Sequence, residues 1–422
     1  MRRVISTLLA VVLALGLWAQ SMHIYQGSVV TMANATDVES ITFNDSTTLV
    51  VNGILFPVSE IDSIVVNDEV IKTDSVIVKY ASTSAQVFVP INVAKYLTTT
   101  VNGANVSIIS SQSDETALTD TTEIKYALSG STLKGSFYQE GAYKCTLVLN
   151  GVSIISSEGA AIQMQNGKRI DVIVADGTTN TLKDKMNGLQ KACFAIKGHA
   201  EFKGGGTLNI YGQGAHGYKS NEYTILKKTF TGNLNIKSAV NDAMHIGQYF
   251  QMNNGNITIT NPSGDALQVE ATNNAADEMN GQMILNSGNI NITSKANDVD
   301  GLKCDSAGVG KLTVTGGTYT INMSGLGAKG VDAYQAEINE TTAPTLFTIT
   351  VSGDRYIDPV TGDKNKSTGF KTDDIMRFTA GTINVTATGD RARGIKVGYN
   401  YYYTKNAKTN VTPDVDGMMY LE

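Results

Sequence analysis

Gly206-Thr-Leu-Asn-Ile210, Gly232-Asn-Leu-Asn-Ile236, Gly255-Asn-Ile-Thr-Ile259, Gly288-Asn-Ile-Asn-Ile292, Gly317-Thr-Tyr-Thr-Ile321 and Gly381-Thr-Ile-Asn-Val385 are renderings of one phrase. The first five begin 26, 23, 33 and 29 residues apart, a spacing that belongs to stacked structural units. In each copy two apolar residues alternate with Asn or Thr. That is the period of a strand with one buried face. A second phrase follows the first: Asp242-Ala-Met-His-Ile246, Asp265-Ala-Leu-Gln-Val269 and Asp300-Gly-Leu-Lys-Cys304, then Lys329-Gly-Val-Asp-Ala333 and Arg393-Gly-Ile-Lys-Val397. A third strand fits in the remainder, for example around Gln251-Met-Asn253.

Geometry chooses among the repeat architectures. At about 3.3 Å per residue the shortest repeat has a contour of roughly 75 Å, which suits one turn of a three-sided coil. A propeller blade needs about 40 residues, and helical repeats need long 3.6-period stretches that this chain lacks. The pattern predicts an all-β fold, a parallel β-helix whose inward Leu, Ile and Val stack coil on coil. A β-sandwich is the competing arrangement.

The 422 residues contain 41 Gly and 6 Pro, and 33 basic against 39 acidic side chains leave a net charge of −6. The glycine suits tight turns, and the acidic balance argues against a nucleic-acid partner. Residues 1–20 read as a signal peptide, with Arg2 and Arg3 ahead of an apolar run from Val4 to Trp18. No second such run follows, so the mature chain is expected to have no membrane span. It is expected to be a secreted or cell-surface protein of a Gram-negative bacterium, and a monomer.

Four regions are expected: the signal peptide (1–20), a small N-terminal β module or spacer (21–71), the β-helix (72–400) and a C-terminal cap or tail (401–422). Residues 110–122 read as a polar loop, and an insertion interrupts the repeat at 352–370. Cys145, Cys193 and Cys304 are an odd number for an exported protein. Cys304 takes the place that Ile246, Val269 and Val397 hold in the other copies, so it reads as a small buried hydrophobe. A Cys145–Cys193 bridge is the alternative for the other two.

Aligned copies of the second phrase place Asp242, Asp265 and Asp300 at one coil position. Coils stack about 5 Å apart. Two carboxylates at that separation repel by about 3 kcal/mol at an effective dielectric constant of about 20, so a ladder of them needs a cation. Asp298, Asp305 and Glu270 lie nearby, and oxygen ligands of this kind suit Ca²⁺. Turn chemistry without a metal is the alternative, because Asp carboxylates in turns often accept backbone N–H bonds. Lys329 and Arg393 replace the acid in the last copies, so a calcium run ends near Asp300. Flat rings stack on pyranose faces, which makes Tyr249 and Tyr401 candidate sugar contacts. Lys303 joins them as a candidate in the alternating pattern.

The stretch from Lys144 to Ile162, the stretch Lys168-Arg-Ile-Asp-Val-Ile-Val-Ala-Asp-Gly-Thr-Thr-Asn-Thr-Leu182, and the Gly-Asn-Ile-Asn-Ile and Asn-Asp-Val-Asp-Gly-Leu units resemble one family. It is the calcium-binding, polysaccharide-binding β-helix family of cellulolytic clostridia and Bacteroidota, pectate-lyase-like in fold. The resemblance covers about 72–400. It implies a right-handed, single-stranded parallel β-helix with Ca²⁺ between coils. It also implies affinity for polysaccharides such as cellulose and acidic pectin, without catalysis. Carried over, the metal roles fall on Asp242, Asp265, Asp298 and Asp300. Two other functions stay open. One is a calcium-dependent polysaccharide lyase with Lys303, Lys329, Arg391 or Arg393 as base. The other is a surface adhesin or structural rod.

Overall fold

A computed structural model describes residues 20–117 and 123–421. The expected signal peptide and part of the polar loop lie outside the described residues. The chain forms two compact units, one ending at Ile154 but including Met164–Ile170, the other comprising Ile155–Gln163 and the chain from Asp171 onward.

The first unit mixes strand directions. Ser21–Gln26 pairs antiparallel with Val29–Asn34 and with Ser63–Asn67. Ile41–Asp45, Thr48–Val51 and Ile54–Pro57 form a separate three-stranded antiparallel sheet. Met22, Ile24, Leu49, Val51 and Phe56 bury against Ile91, so this small core reaches past residue 71. Ser75–Ser82 and Ser84–Pro90 form a hairpin. Parallel pairing enters where Lys125–Thr132 adds to Ser75–Ser82 and Gly135–Gly141 adds to Ala104–Ser110. The segment after residue 72, expected as the start of regular coils, is therefore a mixed sheet.

In the second unit, up to Thr345–Val351, each strand pairs in parallel with the strand three places on, and beyond the insertion the same ladders continue, so three ladders run side by side. The first ladder holds the opening phrase. Its strands run from Thr179–Lys183 through Thr207–Tyr211, Asn233–Ser238, Asn256–Thr260, Asn289–Ser294, Gly317–Met323, Thr345–Val351 and Gly381–Ala387 to Ala407–Thr412. Ile236 lies opposite Ile259, and Ile259 opposite Ile292, the stacking that the repeat predicted. Each is at most 1 % exposed, and burying such a side chain contributes about 1.5–3 kcal/mol.

The second ladder holds the acid-bearing phrase, from Ala192–Ile196 through His216–Ser220, Met244–Gly247, Leu267–Glu270, Asp300–Cys304, Lys329–Ala333 and Thr368–Thr372 to Arg393–Tyr403. The residue after the first position of this phrase, Ala or Gly in every copy, is small for a steric reason. A Cβ on Gly330 would meet Ile349 Cγ2 at 2.4 Å and the Gly369 carbonyl oxygen at 2.5 Å. The third ladder includes Thr224–Phe230, Tyr249–Met252, Gln282–Leu285, Lys311–Val314 and Gln335–Ile338.

The insertion near 352–370 carries a short antiparallel pair, Tyr356–Ile357 with Lys364–Asn365. The C-terminal segment continues the ladders instead of covering them as a separate tail. Ala407–Thr412 extends the first ladder, and Asp416–Leu421 adds to Arg393–Tyr403. All three cysteines are buried and none is in a disulfide.

Candidate functional site: a charged column and a neutral amide face

The second ladder sets two outward columns side by side. Within the phrase, one column carries its first residue and the other carries the residue three places on. The first reads Asp242, Asp265, Asp300, Lys329; the second reads His245, Gln268, Lys303, Asp332, Lys371. The acid and the base therefore exchange columns between Asp300/Lys303 and Lys329/Asp332.

That exchange builds a zipper. Lys303 Nζ lies 3.0 Å from Asp265 Oδ2 and 3.5 Å from Asp300 Oδ2. Lys329 Nζ lies 3.0 Å from Asp300 Oδ1 and 2.9 Å from Asp332 Oδ2. Lys371 Nζ lies 3.0 Å from Asp332 Oδ1. The carboxylates also turn back onto the ladder. The Asp265 N–H donates to Asp242 Oδ1 at 2.9 Å and the Asp300 N–H to Asp265 Oδ1 at 2.7 Å.

Burial dominates Asp300, which is 2 % exposed. Desolvation pushes its carboxyl up to about 6, against the pull of Lys329 and Lys303, with Asp265 and Asp332 adding repulsion. Lys303 and Lys329 are themselves partly desolvated, yet the flanking acids win and push both ammonium groups up.

The cation that the acid ladder needs is thus an ammonium group. Calcium takes about six to eight oxygen ligands. The carboxylates of Asp265 and Asp300 face lysines, and several of their oxygens already accept bonds, so this donor set does not fit Ca²⁺. Asp298 and Asp305 do not join it either. Asp298 is an exposed residue with φ of 55° whose Oδ1 accepts a bond from Asn365 Nδ2 at 2.8 Å. Asp305 is a half-buried residue just past the end of its strand.

Asp242 differs from the other acids of the column. Its Oδ2 lies 2.9 Å from His245 Nδ1 and 3.3 Å from His216 Nδ1. Burial raises its carboxyl, but the two imidazoles beside it outweigh burial and hold it below the usual carboxylate range.

The expected sugar contacts are placed otherwise by the packing. Tyr401 is 0 % exposed, with its hydroxyl 3.3 Å from Thr409 Oγ1, so it seals core and offers no ring face. Tyr249 is 7 % exposed, and its ring stacks on Tyr223 at 4.8 Å. Tyr223 in turn stacks on His199 at 4.5 Å. Lys303 is occupied by Asp265 and Asp300.

The first ladder presents a different surface, which the sequence reading passed over as filler between the aliphatic pairs. Its outward columns read Thr207, Asn233, Asn256, Asn289, Thr318 and Asn209, Asn235, Thr258, Asn291, Thr320. Side-chain amides bond along the columns. Asn235 Nδ2 donates to Asn209 Oδ1 at 3.0 Å, Asn256 to Asn233 at 3.1 Å and Asn289 to Asn256 at 2.8 Å. Asn256 Nδ2 also donates to the Gly232 carbonyl oxygen at 3.4 Å, and an amide oxygen that accepts one bond retains a second lone pair. The signal was the strict Asn/Thr choice at every outward position, where any polar residue would have served solubility.

The carbohydrate-binding domain-containing family model matches residues 113–395. The chain belongs to this family. Its domain therefore spans the ladders that carry both surfaces. The chain is also similar to a solved structure, a gadolinium derivative of the polysaccharide lyase-like protein from C. thermocellum. The identity is 19 % and the TM-score 0.48, over 64 % of this chain and 98 % of that one. No curated protein matches. Among the described residues no helix of this carbohydrate-binding-domain protein is long and apolar enough to cross a membrane.

Proposed function

We propose that this chain is an exported, non-catalytic protein that holds a cell-wall polysaccharide, cellulosic or acidic and pectin-like, on the Asn/Thr face of its first ladder. The supporting observation is that face. From Thr207–Tyr211 to Gly381–Ala387 the strands span roughly 30 Å at about 4.8 Å each. Its two central outward columns carry Asn and Thr with no charged residue over those strands, Leu346 being the one apolar member. Sugar hydroxyls both donate and accept, and so do the amides and hydroxyls in these rows. We read the three ladders as the sides of one right-handed parallel β-helix, since parallel crossovers take that hand almost without exception.

The same geometry disfavours a lyase. A proton-abstracting lysine must be neutral, and Lys303 and Lys329 are held protonated by flanking acids. Arg393 lies 3.4 Å from Asp416 Oδ2. Polymer contact in this reading needs no bridging Ca²⁺.

Retention on insoluble cellulose and on polygalacturonate tests the proposal. Wild type is expected to be retained, and Asn291→Ala with Thr320→Ala, which removes two outward hydrogen-bonding side chains without adding charge, is expected to elute while melting as wild type does. Equal retention of the variant refutes the assigned face. Absorbance from unsaturated uronate would establish a lyase, and cell binding without glycan retention an adhesin.

A further inference from the structure

Asp242 is the acid in its column that the lysine zipper leaves out. Asp265, Asp300 and Asp332 each have a lysine ammonium within 3.0 Å. Among the described residues Asp242 has none within 4.0 Å, and meets two imidazoles instead. The three side chains are enclosed, 12 % (His216), 9 % (Asp242) and 13 % (His245) exposed.

The hydrogen bonding around them is over-subscribed. His245 Nε2 lies 3.1 Å from Glu270 Oε2, within ion-pair distance. His245 Nδ1 faces two oxygens, Asp242 Oδ2 at 2.9 Å and Gln268 Oε1 at 3.2 Å. With the ring proton on Nε2, Nδ1 is a bare lone pair aimed at two others; with the proton on Nδ1, a single N–H is shared between both oxygens. His216 Nδ1 lies 3.3 Å from the same Asp242 oxygen, yet it is buried and makes no hydrogen bond of acceptable geometry. Lone pairs converge here, and His216 Nδ1 is left without a hydrogen bond.

A metal ion would accept these lone pairs together. We propose that His216 Nδ1, Asp242 Oδ2 and His245 Nδ1 bind one divalent transition-metal ion of the Zn²⁺ class, with Gln268 Oε1 or water completing the shell. One ligand atom from each of the three residues falls within a 4.8 Å cluster. A tetrahedral Zn²⁺ site with bonds of about 2.0–2.1 Å has ligand-to-ligand edges of about 3.3 Å, close to the 3.3, 2.9 and 3.2 Å separations here. Imidazole nitrogen selects this class over Ca²⁺. Glu270, 3.1 Å from the far nitrogen of His245, stands where an outer carboxylate fixes ring orientation and tautomer in such sites. His216 opens one strand of the second ladder, and Asp242 lies two residues ahead of the next, which carries His245. The ion would therefore tie neighbouring strands together where the ammonium zipper stops.

The test is calorimetric titration of the metal-free, untagged full chain with ZnCl2, beside CaCl2, and with CoCl2 followed by visible absorption. Wild type is expected to take up one Zn²⁺, to prefer it to Ca²⁺ and to give the intense visible bands of low-coordinate Co²⁺. His216→Gln and His245→Gln are expected to abolish the Co²⁺ bands. Glu270→Gln is expected to weaken Zn²⁺ by about 10–100-fold, the usual effect of losing an outer carboxylate. Far-ultraviolet circular dichroism of the metal-free variants confirms that they fold. The proposal is overturned if wild type takes up no Zn²⁺. It is equally overturned if the two histidine variants bind as wild type does, or if the site is satisfied by an imidazolium whose Nδ1 proton persists in excess Zn²⁺ by NMR.

Discussion

Replacing Lys303 by Met removes one charge from the centre of the zipper and keeps most of the side-chain stem. Lys303 bridges Asp265 and Asp300, at 3.0 and 3.5 Å, and its side chain is 24 % exposed. Stripping one partner from a buried ion pair costs about 3–5 kcal/mol. Two features reduce that here. Lys303 is partly solvated, and Asp300 keeps Lys329 at 3.0 Å. The expected loss is about 2 kcal/mol at pH 8, or roughly 4–8 °C in Tm.

The loss should depend on pH with a definite sign. Asp300 titrates in the fold at about 6, pushed up chiefly by burial, and a carboxyl with a raised folded pKa opposes stability above that value. The opposition fades as pH falls toward the unfolded value of about 3.9. Without Lys303 both Asp265 and Asp300 protonate more readily. At pH 5 they escape by taking up protons, and the difference between variant and wild type should shrink below about 1 kcal/mol. Urea denaturation of both proteins at pH 8 and pH 5 measures this, and Lys303→Arg should restore stability at pH 8. Equal losses at both pH values would mean that packing of the stem, not charge, was removed. The zipper account would then fail.

Three further outcomes follow from the geometry. Gly330→Ala should cost about 1–3 kcal/mol, the range for an overpacked core, whereas Gly159→Ala, where an added Cβ meets nothing within 4 Å, should leave the melting temperature unchanged. Cys145, Cys193 and Cys304 are buried and outside any disulfide; a thiol reagent should therefore find none in the native protein and all three after denaturation. Adding Ca²⁺ to the metal-free chain should raise Tm no more than Mg²⁺ at equal ionic strength. A Ca²⁺-specific rise lost in Asp265→Asn would show that calcium displaces lysine from the zipper.

Much of the fold was readable because its signals are local. Alternation of Ile257 and Ile259 with Asn256 and Thr258 states which residues turn inward, whatever lies on the next coil. The repeat length then implies stacking. The site was less readable because its pairings are not local. Asp300 meets Lys329, and Asp332 meets Lys371, across loops of unequal length. The intervening segment at 271–281 lengthens one repeat, and the insertion at 352–370 lengthens another. A carboxylate ladder and an acid–base zipper look alike until register says which side chain stands above which. The exchange from Asp-x-x-Lys at 300–303 to Lys-x-x-Asp at 329–332 was the available clue. The aromatic candidates failed for a related reason. A tyrosine in a strand can face sugar or core, and Tyr401 faces core because Met376, its partner on the neighbouring strand, also points inward.

The sequence by itself determined that strands repeat, which of their residues are buried and that the outer positions of one phrase are amides and hydroxyls. Those properties follow from a two-residue period and from side-chain polarity, both carried within five residues. Only the tertiary structure decided what neutralises the aspartates, because electrostatic partnership depends on separations of a few ångströms between residues 26 to 39 positions apart. The ammonium groups of Lys303, Lys329 and Lys371 reached those carboxylates, and at Asp242 two imidazoles stand in their place.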